Sequence, residues 1–212
     1  MLLKSLVMAG GRGSRLNLGI EKPMLRLNGV PMIDFVLSAL EGASSIGEVY
    51  VAVSDHTPAT AHHLTTSART RVIKTAGTGY HEDLAQAVRS IGPFKCLTVS
   101  ADLPALKPCD IDFVVMEYAA RRKPSLSVVA PAEELRARGI EPFSTLRLNG
   151  EDVVPCGINV IDGSMIGERY IEETMLVVHS PRFFVNVNTV RDLDLLRIIE
   201  GTNFRVARGD RG

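Results

Sequence analysis

The chain has 212 residues, 45% of them hydrophobic, and its 24 lysines and arginines balance 24 aspartates and glutamates. This composition supports one substantial core and argues against a general nucleic-acid coat or a surface for anionic membranes. Three cysteines without disulfide or zinc spacing, no signal peptide and no run of ~20 apolar residues predict a soluble cytoplasmic protein without a membrane span.

The first predicted element is an apolar strand, residues 2–9, that stops at a glycine-rich turn. Three glycines fall within four positions, with two arginines and a serine around them: Gly10, Gly11, Arg12, Gly13, Ser14 and Arg15. Glycines let backbone N–H groups approach a ligand closely, and the basic side chains supply charge. We therefore predict that this turn binds a polyphosphate, to which Lys22 adds a further cation.

Two other glycine-rich phosphate loops fit this turn poorly. In the dinucleotide fingerprint the third glycine would fall on Leu16, and no acidic residue ends the second strand as a ribose ligand. The Walker A loop needs a Gly-Lys-Ser/Thr sequence that is missing here. A tight strand-to-helix turn without a ligand stays open as the structural alternative.

The rest of the chain alternates between predicted strands and helices. A short extended segment at 24–27 ends at the turn Asn28-Gly29, and a hairpin is predicted at 145–154 around Asn149-Gly150. Further strands are predicted at 49–53, 71–74, 94–100, 126–131, 155–161, 175–178 and 183–189. Helices are predicted at 31–40, 57–68 and 80–91, from 110 or 112 to 122, and at 190–200. We assign residues 1–200 to one domain and residues 201–212 to a weakly ordered basic tail.

Two polar residues come at the ends of predicted strands. Asp102 follows strand 94–100, at the edge where open α/β sheets bind ligands, although an aspartate can also cap the turn before Pro104. Asn188 stands where the final helix begins, a position at which an N-cap is the structural explanation. Glu82 and Asp83 lie in the first turn of another helix, where carboxylates are favourable without any function.

The residues Met8 to Arg15, followed by Glu21 to Leu25, resemble the signature of MobA-like nucleotidyltransferases, which join a nucleoside triphosphate to a phosphorylated acceptor. The resemblance covers nearly the whole chain, and the short spacing to Lys22 is most similar to archaeal members that use GTP and adenosylcobinamide phosphate. It implies an α/β fold with a Rossmann-like mixed, mostly parallel sheet and helices on both faces, of the nucleotide-diphospho-sugar transferase type.

The resemblance also implies roles for individual residues. GTP would contact the first loop and the later turn at 75–80, through Ala9, Gly10, Gly11, Arg12, Gly13, Ser14, Gly77 and Gly79. The catalytic residues would be Arg15, Lys22 and Asp102. Mg²⁺ would be held by Asp102 and Asn188, and the acceptor by Gly157 and Asn159. A phosphate acceptor is largely ionised at neutral pH, so no general base is expected.

Three alternatives and one structural question stay open. Another acceptor, a sugar 1-phosphate or molybdopterin, would keep every triphosphate residue and differ in the region 131–159. A regulatory nucleotide-binding module would need neither Asp102 nor Asn188, and a nicotinamide-dependent dehydrogenase conflicts with Leu16. The sequence does not decide between a monomer and a homodimer.

Overall fold

A computed structural model describes residues 2–11, 13, 19–65, 70–188 and 190–201 of the protein. Within these residues the strands are β1 Leu3–Met8, β2 Arg26–Leu27, β3 Val30–Pro31, β4 Ile46–Val53, β5 Thr70–Lys74, β6 Lys95–Ser100, β7 Ser125–Pro131, β8 Leu146–Leu148, β9 Glu151–Asp162 and β10 Glu173–Val177. The helices are α1 Met32–Gly42, α2 Pro58–Thr65, α3 Tyr80–Ile91, α4 Pro108–Arg121, α5 Ala132–Ala137 and α6 Val190–Glu200.

One mixed sheet organises the molecule, with strands in the order β10-β7-β9-β6-β1-β4-β5 and β8 added beside β9. β9 runs antiparallel to β6 and β7, while the pairs β1–β4, β1–β6, β4–β5 and β7–β10 are parallel. The predicted mixed, mostly parallel sheet is therefore confirmed. Among the described residues, no helix is long and apolar enough to cross a membrane.

The helices cover the two faces of the sheet unequally. α1 and α4 pack into the larger core, where Ile33 and Val114 are fully buried beside Val7 and Val99. α3 packs on the opposite face and buries Val88 against Leu6. Alternate residues of the central strands therefore face two apolar layers, as expected for a strand buried on both sides.

The predicted hairpin is present, but its second strand is longer than predicted. Asn149 and Gly150 both have positive φ, 51° and 90°, as a two-residue turn of this kind requires. The two predicted segments, 152–154 and 155–161, form the single strand β9. Pro155 stays paired with Val129 on β7, and the register shifts between that pair and the pair of Ser127 with Asn159.

The strand predicted at 183–189 is wrong. Residues 181–183 form a short 3₁₀ helix, and the chain is irregular from 185 to 188. Val185 and Val187 are buried, and the backbone N–H of Val187 donates to the carbonyl of Asp102 at 3.0 Å. The segment thus crosses the end of the sheet instead of joining it. Ala68, the predicted end of α2, and the predicted tail 202–212 lie outside the described residues.

Candidate active site

A cleft of about 570 Å³ opens at the carboxyl ends of β1 and β6. Its lining comes from the glycine turn, the end of β6, the turn before α3 and the segment before α6, and includes Ala9, Gly10, Gly11, Gly13, Lys22, Gly77, Gly79, Asp102 and Asn188. The fold therefore gathers into one cleft those predicted nucleotide and metal residues that the structure describes. Arg12, Ser14 and Arg15 lie outside the described residues.

Two glycines of the glycine turn, Gly10 and Gly13, lie close to neighbouring segments. Ser54, directly after β4, donates its hydroxyl to the carbonyl of Gly10 at 2.7 Å. Gly13 has a φ of 59°, and a Cβ there would lie 3.1 Å from the Cβ of Lys22. Glycine is thus favoured at position 13 both by its backbone conformation and by the approach of Lys22.

Lys22 joins the glycine turn to the two predicted metal ligands. Its ammonium makes a close ion pair with Asp102 and donates to the side-chain oxygen of Asn188 at 2.7 Å. The other carboxylate oxygen of Asp102 accepts a 2.9 Å hydrogen bond from Asn186. Sequence reasoning selected Asn188 in this segment but not Asn186.

The oxygen atoms of Asp102 and Asn188 converge on one cation, the ammonium of Lys22. A carboxylate and an amide oxygen are hard donors of the type that Mg²⁺ prefers, so this pair fits the predicted metal. No group of three or more His, Cys, Asp or Glu side chains that could hold a metal occurs among the described residues. A divalent ion there would need further oxygens from a bound phosphate or from water.

Glu21 fixes the segment that carries Lys22. Its carboxylate accepts hydrogen bonds from the backbone N–H groups of Ala59 and Thr60 at 2.6 and 2.7 Å, and from the Thr60 hydroxyl at 2.6 Å. These N–H groups lie in the first turn of α2, where a negative charge is stabilised. The sequence placed Glu21 beside Lys22 but gave no sign of this partner.

The turn before α3 is shaped by Asp83. Gly77 has a φ of 71°, and its N–H donates to the Asp83 carboxylate at 2.8 Å. Asp83 is buried, which agrees with a structural role in this turn. The N–H of Gly77 is therefore already paired within the protein. His56 also lines this part of the cleft. It follows the carboxyl end of β4, where open α/β sheets bind ligands, so its position in the sequence could have indicated it as a site residue.

Gly157 and Asn159 lie on β9, next to β6. Gly157 has a φ of 76°, and a Cβ there would lie 2.6 Å from the Ser100 hydroxyl oxygen and 3.9 Å from Nδ2 of Asn186. Because Asn186 donates to Asp102, Gly157 lies close to the ion pair of Lys22 and Asp102. The Asn159 side chain lies 2.8 Å from the Ser127 hydroxyl and 3.5 Å from the Thr98 hydroxyl.

Tyr80 connects the nucleotide side of the cleft to β9. It lines the cleft at the start of α3, and its phenol lies near the side chains of Thr98 and Asn159. Burial of the hydroxyl end raises the pKa of Tyr80, so the phenol stays protonated at neutral pH. Sequence reasoning did not select Tyr80.

Residues 5–156 match the family described as the MobA-like NTP transferase domain. Over 93% of its length the chain is 33% identical to the adenosylcobinamide-phosphate guanylyltransferase of Methanocaldococcus jannaschii, of which the match covers 97%. It is 27% identical to a probable molybdenum cofactor guanylyltransferase of Thermococcus kodakarensis, over 88% of this chain and 90% of the relative.

Two solved structures are similar in fold. A CMP:2-keto-3-deoxy-manno-octonic acid synthetase in complex with CTP superposes with a TM-score of 0.70 at 16% identity, covering 94% of this chain and 98% of its own. A putative glucose-1-phosphate thymidylyltransferase from Bacillus anthracis gives 0.70 at 14% identity, over 95% and 97%. These comparisons confirm the nucleotide-diphospho-sugar transferase fold and the resemblance noted in the sequence.

Proposed function

The chain belongs to the MobA-like NTP transferase domain family, and on that premise we propose that it transfers GMP from GTP to adenosylcobinamide phosphate. The observation that carries the proposal is the convergence of Lys22, Asp102 and Asn188 beside a glycine turn. The overall similarity to the Methanocaldococcus jannaschii enzyme supports guanine as the base and the corrinoid as the acceptor. The enzyme would act in the cytoplasm, in keeping with three free cysteines.

The reaction needs one bond made and one bond broken. A phosphate oxygen of the acceptor attacks the α-phosphorus of GTP, and the bond from that phosphorus to the α,β-bridging oxygen breaks. Pyrophosphate leaves with the electron pair of that bond, and adenosylcobinamide-GDP forms. The second pKa of a phosphate monoester is about 6, so the attacking oxygen is already largely ionised and no side chain has to remove a proton. The task of the protein is positioning and charge stabilisation.

The described residues divide that task. Backbone N–H groups of the turn from Gly10 to Gly13 would bind the triphosphate, and Lys22 would stabilise negative charge on the phosphates. Asp102 and Asn188 would hold Mg²⁺ with the nucleotide. When bound, Mg²⁺ neutralises phosphate charge and helps to orient the phosphate oxygens. Gly157, close to Asn186 and Ser100, leaves room for the acceptor phosphate.

Molybdopterin is the second candidate acceptor. The similarity to the probable molybdenum cofactor guanylyltransferase of Thermococcus kodakarensis favours it, at lower identity than the corrinoid relative. Both acceptors present a phosphate monoester, so the nucleotide half of the site would work in the same way. The two candidates differ in the body of the acceptor beyond its phosphate.

Pyrophosphate release decides between the acceptors. Purified protein is given GTP and Mg²⁺ with adenosylcobinamide phosphate, molybdopterin or a hexose 1-phosphate in separate assays, and Asp102→Asn serves as the inactive control. We expect turnover with the corrinoid alone. Turnover only with another acceptor would keep the reaction and replace the substrate, whereas nucleotide binding without turnover on any acceptor would favour a regulatory module.

A further inference from the structure

One face of the sheet is covered unevenly beside the cleft. α3 packs over β1, β4 and β5. On the same face beyond β6, Pro155, Glu173 and Val177 are exposed and Asn159 and Met175 are half-buried, whereas Thr98, Ser127 and Val129 are buried. This surface begins at Gly157, close to Ser100 and Asn186, and extends along β9 toward β7 and β10.

A row of polar side chains crosses this surface. Thr98 pairs with Asn159 in the β6–β9 register, and Asn159 pairs with Ser127 in the β9–β7 register. The Ser127 hydroxyl then reaches the carboxylate of Glu173 on β10. We call Thr98, Asn159, Ser127 and Glu173 the polar row. Buried polar groups need hydrogen-bond partners, and here each strand supplies a partner to the polar side chain of the next strand.

The hydrogen bonds of the polar row leave it rich in acceptors. Ser127 has one proton, yet its hydroxyl contacts both the amide of Asn159 and the carboxylate of Glu173. The carboxylate has two oxygens with about four acceptor sites, and Ser127 satisfies one of them at most. Glu173 is exposed, so its remaining sites face a ligand or water.

The charge and polarity of the surface also restrict what it binds. The polar row contains one carboxylate and no cation. Lys95, three residues before Thr98, has its ammonium over the ring of Tyr118, and Lys123, four residues before Ser127, is ion-paired with Glu172. Met175 and Val177 continue the same face of β10 with apolar contact area. A ligand with additional anionic groups would meet repulsion from Glu173, whereas apolar surface edged with N–H donors would match it.

We propose that the polar row binds the body of the acceptor and selects an uncharged, carboxamide-bearing one over an acceptor with further anionic groups. The inference rests on the proposed function, because the acceptor phosphate must lie near Gly157. Asn159 is two residues along β9 from Gly157, or about 7 Å, so an acceptor wider than its phosphate reaches the row. A cobinamide, with carboxamides around an apolar macrocycle, has this chemistry.

The test separates the acceptor body from its phosphate. Glu173→Ala and Ser127→Ala are compared with Glu172→Ala, a neighbouring exposed carboxylate that pairs with Lys123. We expect both row variants to raise the KM for adenosylcobinamide phosphate at least about tenfold, with the KM for GTP unchanged. Calorimetry with adenosylcobinamide, which lacks the phosphate, should show the same loss in the row variants and none in Glu172→Ala.

Two results would overturn the inference. One is an unchanged acceptor KM in both row variants, and the other is an equal rise in Glu172→Ala. If the wild-type protein does not use the corrinoid, the proposed function fails, and the same variants are measured with the acceptor that it does use. If the row variants raise the KM for that acceptor, the polar row is the acceptor surface; if that acceptor also carries further anionic groups, the carboxamide preference is rejected. An unchanged KM would reject the polar row as the acceptor surface.

Discussion

Lys22 and Asn188 are 166 positions apart in sequence, yet the ammonium of one lies 2.7 Å from the side-chain oxygen of the other. Asp102, from the middle of the chain, is the third member of the contact. The side chains of Lys22 and Asp102 are only 15% and 18% exposed, so each depends on the other for charge compensation. The cation position is therefore defined by three distant segments that meet at one end of the sheet.

The Lys22 contact predicts opposite effects on catalysis and on metal binding. Lys22→Ala should lower kcat/KM by roughly 10- to 100-fold, since a charged hydrogen bond to phosphate is worth about 1.5–3 kcal/mol. Without nucleotide, the same variant should bind Mn²⁺ more tightly than wild type, because the competing ammonium is gone. Steady-state kinetics and Mn²⁺ titration by electron paramagnetic resonance measure the two effects.

Lys74→Ala is the matched control for Lys22. Lys74 is a lysine 69% exposed, in an ion pair with Asp55 on the surface. It should change neither quantity. If Lys22→Ala retained the wild-type rate, Lys22 would have only a structural role beside Asp102.

Asp102→Asn removes the carboxylate while keeping its size. Asparagine caps turns about as well as aspartate, so the melting temperature should change little. If the carboxylate holds Mg²⁺ against the phosphates, turnover should fall on the order of a hundredfold or more, with partial recovery at high Mg²⁺ or with Mn²⁺. Asp152→Asn, on a half-buried residue paired with Arg147, controls for the charge change. Wild-type turnover at limiting Mg²⁺ would remove Asp102 from the metal site.

Glu21 is expected to act through the position of Lys22. Glu21→Ala breaks three hydrogen bonds to the start of α2 and releases the segment in front of Lys22. Turnover should fall several-fold while the affinity for adenosylcobinamide phosphate stays the same, because the acceptor surface is separate. Glu21→Gln keeps one accepting oxygen and should recover part of the rate. If Glu21→Ala lowered only the melting temperature, Glu21 would be a helix cap alone.

The sequence predicts the central pieces of this site but not how they connect. Lys22 and Asp102 were found because motif spacing and strand ends are local properties. The alternation of Val185 and Val187 with two asparagines was read as a strand, since period two is the strand pattern. In the structure it arises because the valines enter the core while Asn186 contacts Asp102, as the segment crosses the end of the sheet. Such partners depend on tertiary contacts that no local pattern encodes.

Gly157→Ala should impair the acceptor side through two effects. The residue has a φ of 76°, and the added Cβ would lie 2.6 Å from the Ser100 hydroxyl oxygen. We expect the acceptor KM to rise and the KM for GTP to stay constant. Ser100→Ala in the same chain should relieve the clash and recover part of the affinity, although the backbone strain persists. Gly150→Ala, strained at a φ of 90° but with open space around its Cβ position, controls for the strain alone.

The base preference should follow from the turn before α3. Gly77 donates its N–H to Asp83 and is left with a carbonyl acceptor, which suits the N1–H and N2–H donors of guanine. Adenine would place its unprotonated N1 against such an oxygen and leave a buried group unpaired. Calorimetry should therefore show GTP binding at least about tenfold more tightly than ATP. Asp83→Asn would loosen this turn and reduce the difference in affinity between GTP and ATP. Glu82→Gln, in the same first turn of α3, would leave that difference unchanged. Equal affinity of the wild-type protein for GTP and ATP would show that the turn does not read the base, and the guanine assignment would fall with it.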